Sequence, residues 1–208
     1  MSGYEVASVT GVESIPGPGS LRWTPLRKHF GITAFGINAY TATEAGQDVV
    51  EEHNEERLGH EEIYIVLTGR ATFVLDGEER EVSAGSAVFL RDPTIKRYAR
   101  AEEPGTTVLA VGGKPGQHEI SAWEYFFAAY PKADAGDYDG ALAEIEAGLA
   151  DRPEHPPLLY HRACINARAG RLEEARASLD RALELNPALK KWADEDEDLA
   201  QLRVAGEP

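Results

Sequence analysis

The chain has a single cysteine among 208 residues, no long apolar run and too few basic side chains to balance its acidic ones. Each shortage removes a class of protein. One thiol, Cys164, cannot close an internal disulfide, which fits a reducing compartment. Its alanine-rich surroundings read as a packed structural thiol rather than a nucleophile. No segment approaches the roughly 20 apolar residues that a bilayer-spanning helix needs. Met1–Ser14 has neither the basic head nor the apolar centre of a secretion signal, so the expected location is cytoplasmic. Lys and Arg total 21 against 36 Asp and Glu, a net charge of −15. Residues 1–120 carry 11 basic and 18 acidic side chains, and residues 121–208 carry 10 and 18. Both halves repel a phosphate backbone or an anionic lipid face, so neither nucleic acid nor membrane is an expected partner. A phosphate loop is missing too, because Gly113-Lys114 lacks the following Ser/Thr and the upstream glycine spacing.

What remains is an ordinary globular composition, 42% hydrophobic and 27% charged, in two textures that meet near residue 120. The first is a series of short β-branched and aromatic runs: Ile32–Thr43, Ile63–Leu67, Ala71–Leu75, Glu79–Val82, Ala87–Leu90, Ile95–Arg100 and Thr106–Val111. Gly, Pro and Asp interrupt them roughly every eight to twelve residues, the pattern of a sandwich or barrel. Asp76-Gly77 predicts a hairpin turn with positive φ at both central positions. Ile63–Leu67 lacks polar alternation, so both faces of that strand are expected to be covered, one by the barrel interior and one by a packed element or a second subunit.

From Ser121 the texture is helical and repeats. Gly136, Asp137, Tyr138, Ala141, Ile145 and Pro153 return 34 residues later as Gly170, Arg171, Leu172, Ala175, Leu179 and Pro187. Small Ala141 and Ala175 permit close helix approach, and the prolines end each second helix. The period and these positions resemble the tetratricopeptide repeat. About two repeats are expected, followed by a cap helix over Ala188–Arg203. The domains are therefore read as 1–116, a β-barrel with its core in 20–112, and 117–208, the helical repeats. The turn-rich Gly112–Gly116 marks the join.

The chemistry-bearing residues lie in Gly46–Gly69. His53-Asn54-Glu55 ends one strand, and His60-Glu61-Glu62 opens the next, with six residues between Glu62 and Gly69. This stretch resembles the first motif of the cupin superfamily, with Glu55 where that motif has its second histidine. The resemblance extends over most of 20–112 and implies a double-stranded β-helix, or jelly-roll, barrel. At the second motif's histidine this chain has Lys96. By that resemblance, His53, His60 and Glu62, with Glu55 as a further candidate, would hold one divalent transition metal: Fe, Mn, Ni, Zn or Cu. Lys96, Tyr98, Tyr64, Tyr40 and His29 are the candidate pocket residues. Without a metal, Glu62 and Lys96 would instead form a buried ion pair.

Three functions follow from the resemblance. The first is a small-molecule or metal-binding module with a sensing tail. The second is a metal-dependent enzyme of the dioxygenase, isomerase or decarboxylase classes. The third is a non-catalytic adaptor. Expected partners are a small molecule, a second copy through the barrel, and a protein segment in the groove of the repeats.

Overall fold

The computed structural model describes residues 5–118 and 121–204. The first four residues of Met1–Ser14, and positions 119 and 120 beside the join, lie outside the described residues. The chain divides into two compact units, Met1–His118 and Glu119–Pro208.

The first unit holds ten strands: β1 (Ile15–Pro16), β2 (Arg22–Thr24), β3 (Gly36–Thr41), β4 (Asp48–His53), β5 (Glu61–Thr68), β6 (Arg70–Leu75), β7 (Glu78–Ser83), β8 (Ala87–Leu90), β9 (Arg97–Ala101) and β10 (Thr107–Gly113). They form two antiparallel sheets, ordered β1-β2-β3-β10-β5-β8 and β4-β9-β6-β7. From β3 to β10 the chain crosses repeatedly between the sheets, and each sheet holds four of these strands. That order is a jelly roll, two Greek keys facing each other across one core. Its inner faces meet at Val49, Val50, Tyr64, Val66, Phe73, Ala99 and Val108, all buried.

Turn chemistry fixes the register. Asp76 and Gly77 have φ of 51° and 87°, the two-residue turn that Asp-Gly favours, so Leu75 pairs Glu78 and the β6–β7 hairpin follows in register. Gly69 joins β5 to β6 at φ 70°, where an added Cβ would lie 2.9 Å from Thr106 Cα. A side chain there meets both a left-handed backbone and a filled space.

Strand β5 alternates more than its sequence suggests. Tyr64 and Val66 are buried, whereas Ile63, Ile65 and Leu67 face outward and are only partly covered. The amino-terminal segment explains the difference. Val12 and Leu26, the latter on α1 (Leu26–Phe30), pack with Ala39 and Leu109 on the outer face of β3 and β10. They leave Leu67 38% and Phe89 50% exposed. Coverage of both faces of Ile63–Leu67 is thus met only on the inner side within one chain.

The second unit comprises α2 (Ala122–Asp134), α3 (Tyr138–Asp151), α4 (Pro156–Arg168) and α5 (Leu172–Leu185). Ser121 and Asp137 cap α2 and α3 by accepting from the Trp123 and Gly140 amides. Ala129, Ala141, Ala163 and Ala175 are fully buried where helices cross. The cap differs from the expected single helix: α6 (Lys190–Glu195) and α7 (Ala200–Val204) are separated by a short turn. Asp196 causes the break. Its Oδ1 accepts from the Asp198 amide, and its Oδ2 accepts from the Tyr160 hydroxyl at 2.6 Å. Cys164 is buried beside it, and burial pushes the thiol well above its ordinary pKa, so it is unreactive.

His161 on α4 stacks on Phe126 at 4.2 Å and bonds the Tyr130 hydroxyl at 3.1 Å. Burial pushes its pKa down to about 4. Because the folded value lies below the ordinary 6.5, the unfolded chain holds more protons between those values. The neutral ring's contribution is present above pH 6.5 and is lost as pH falls toward 4. Urea unfolding of the full chain should therefore show about 2–3 kcal/mol more acid loss over this range than His161→Phe does. Equal acid loss in the two proteins would refute this.

Candidate metal and ligand site

A cavity of about 400 Å³ opens between the two sheets. Its floor is made small by Gly36, Ala110 and Gly112, and its walls carry Asn38, Tyr40, Tyr64 and the 53–62 segment. Gly112 is needed locally, since a Cβ there would sit 3.0 Å from Glu62 Cγ.

Three elements deliver the polar groups. His53 ends β4, and its Nδ1 lies 2.8 Å from the Glu51 carbonyl oxygen. A carbonyl only accepts, so Nδ1 carries the proton and Nε2 is turned to the cavity. The turn after His53 is held by the Glu55 amide donating to Pro93 O and the Gly59 amide donating to Glu55 O. It brings Glu55 Oε1 to 3.8 Å from His53 Nε2, and Oε2 to 3.5 Å from His60 Nδ1. Glu55 Oε2 is buried and accepts no hydrogen bond from the described residues. Glu62, at the start of β5, faces them from the opposite sheet with Oε2 3.6 Å from His53 Nε2.

Glu62 is the most heavily engaged group. Its Oε2 accepts from the Tyr64 hydroxyl at 2.6 Å and lies 3.5 Å from Arg97 Nε. Burial alone would push this carboxyl up, but the His53 and Tyr64 hydrogen bonds and the Arg97 charge outweigh it and hold it below its usual range. The bond to Glu62 raises the His53 pKa despite partial burial. Burial drives Tyr64 far above its ordinary value and Tyr40 to about 12, so both stay protonated donors.

Ligand atoms of His53, Glu55 and Glu62 lie within 4.8 Å of one another. The structure thus brings Glu55 into the group, and His60 stands one contact away, against Glu55. Three other sequence candidates lie elsewhere. Lys96 is 59% exposed and pairs with Glu52 at 2.8 Å. Tyr98 donates to Asp48 Oδ1 on the outer face, under Arg100. His29 pairs with Glu5 and packs on Phe30. For Lys96 and Tyr98 the reason is strand parity: on β9, Arg97, Ala99 and Ala101 are buried, so Lys96 and Tyr98 point away. The ion pair imagined for Glu62 and Lys96 is made by Arg97 instead. Arg97 is the cross-strand partner of His53, is 0% exposed, and its three guanidinium nitrogens lack hydrogen-bond partners among the described residues. The Ala-x-Ala alternation that follows it was the available signal.

Known proteins resemble parts of the chain. Residues 156–189, which span α4 and α5, match the tetratricopeptide repeat family. The barrel is similar to cupins. A cupin protein from Bacteroides fragilis is 24% identical with a TM-score of 0.46, over 58% of this chain and 92% of that one. KdgF from Halomonas sp. is 21% identical with a TM-score of 0.41, over 48% and 84%. A Cupin 2 conserved barrel domain protein from Salinispora arenicola is 25% identical with a TM-score of 0.39, over 47% and 78%. No curated protein matches the chain significantly. Among the described residues, no helix is long and apolar enough to cross a membrane.

Proposed function

We propose that the barrel is a binding module in which His53, Glu55 and Glu62 hold one divalent transition metal and the cavity above them admits a small polar molecule. The convergence of these three ligand atoms within 4.8 Å carries the reading. Neighbouring ligands about 2.0–2.2 Å from an ion lie roughly 3–3.6 Å apart, so the 3.6 and 3.8 Å from His53 Nε2 to Glu62 and Glu55 need only a small contraction. One imidazole with two carboxylates suits Fe, Mn, Ni, Zn or Cu. The buried, unbonded Glu55 Oε2 is an acceptor that needs a cation or a donor. Arg97 adds one positive charge, but Glu55 and Glu62 leave the group attractive to a dication. A bound metal would supply open coordination positions and Lewis acidity. The protein's own part is to fix the imidazole through Glu51 O, and to keep Glu62 ionised through Tyr64 and Arg97.

Elemental analysis of untagged protein, before and after reconstitution, tests this. Close to one equivalent is expected, while less than about a tenth would end the metal reading. A metal-free binding cavity organised by the Glu62–Arg97 pair would then replace it.

Two partner proposals accompany it. The partly exposed Ile63, Ile65, Leu67 and Phe89 face supports a homodimer through the barrel. Light scattering should show a dimer at micromolar concentration that Phe89→Glu dissociates, and a wild-type monomer would remove the proposal. The repeats support a protein partner, held weakly because two repeats offer a small surface.

A further inference from the structure

Resting on the metal reading above, we infer that the small molecule the barrel accepts beside the metal is a monoanion of the carboxylate kind, and that Arg97 is the positioning residue that sets this choice. The argument starts from an apparent fault. A guanidinium buried to 0% exposure with Nε, Nη1 and Nη2 all unbonded is an expensive thing for a fold to keep. An apolar side chain of similar volume, opposite Leu75 on β6, would fill the space without that cost. Its ion-pair partner is Glu62, 3.5 Å away, and Glu62 already receives the Tyr64 hydroxyl. Arg97 therefore contributes a charge more than a hydrogen bond.

That charge decides the balance of the site. Glu51, Glu55 and Glu62 supply three negative charges to the cavity wall, and Arg57 on the wall and Arg97 behind Glu62 supply two positive ones. The sum is −1 without a metal and +1 with a dication. A single positive excess between two sheets is relieved by one anion, and neutral or cationic ligands leave it standing. Were position 97 apolar, the filled site would be neutral and this preference would vanish. Asn38 and Tyr40 on the cavity walls offer hydrogen-bond partners for a hydroxyl beside such a carboxylate.

The test uses full-length protein loaded with cobalt(II), whose visible spectrum reports a change in its ligands. Cobalt stoichiometry is measured first, so a failure to bind metal is seen separately and strikes the metal reading itself. Glycolate and its uncharged analogue ethylene glycol are then titrated into wild type, Arg97→Met and Arg97→Lys. Saturable glycolate binding is expected in wild type, weakened at least about tenfold in Arg97→Met and largely restored in Arg97→Lys, with the diol unaffected by either change. A loaded Arg97→Met protein that binds glycolate as tightly as wild type would overturn the inference. If that variant does not fold, Arg57→Gln at the exposed rim decides. It should lose glycolate affinity at least about threefold relative to the diol, and no loss would overturn the inference equally.

Discussion

Glu62→Ala is expected to abolish stoichiometric metal binding and to cost about 3–5 kcal/mol of stability in the metal-free protein. Both effects come from one carboxylate serving two neighbours. Toward the cavity it is one of three groups whose ligand atoms converge, and two remaining ligands hold a divalent ion poorly. Toward the core it faces the buried Arg97 at 3.5 Å, and its removal leaves a guanidinium with no counter-charge between the sheets. The Tyr64 hydroxyl loses its acceptor as well. Glu55→Ala separates the two roles. It also removes a ligand, but no buried cation depends on it, so metal should be lost with a cost of at most about 1 kcal/mol. Elemental analysis and urea unfolding of both variants give the comparison. An equivalent of metal retained by Glu62→Ala, or equal stability of the two variants, would contradict this account.

Arg97→His should strengthen metal binding on the order of a hundredfold. Position 97 pairs with His53 across β4 and β9, so an imidazole there would lie on the same face of that sheet as the existing one, behind Glu62. The substitution removes a positive charge near the ion and adds a neutral nitrogen ligand. Lys96→His, the change suggested by motif alignment, should do nothing, because that side chain points to solvent and Glu52. Competition with a chromophoric chelator distinguishes the two variants. Stronger binding by Lys96→His would show the strand parity to be wrong.

The contrast between positions 96 and 97 shows where sequence stops being legible. Glycine and turn residues fix backbone geometry locally, so the Asp76-Gly77 hairpin, and Gly69 with six residues between it and Glu62, were readable from the chain. The 34-residue repeat was readable because each alanine meets its neighbour at a fixed spacing. Facing is harder. A strand's side chains alternate, so an error of one residue after the Asp92-Pro93 turn reverses inside and outside, and this put Lys96 in the pocket in place of Arg97. Glu55 stands nearer His53 and Glu62 than His60 does because the turn after His53 folds back on itself through Glu55 and Gly59, a path with no periodic signal. The short elements of 15–30, which cover Ala39 and Leu109, were too brief to carry a pattern. Asp196 broke the cap for a similar reason: its partner, Tyr160, is remote in the chain.

The strand order has a consequence for how the molecule is made. Thr41 on β3 pairs Thr107 on β10, a separation of 66 residues, so the larger sheet cannot close until the last strand of the barrel exists. The helices of the second unit meet sequence neighbours, α2 with α3 and α4 with α5. Local contacts form quickly and distant ones slowly. The part synthesised first is therefore the slower to complete. On the ribosome β3 waits as an open edge, and in refolding the helical signal should recover before the tryptophan signal of Trp23, whose strand pairs with β3.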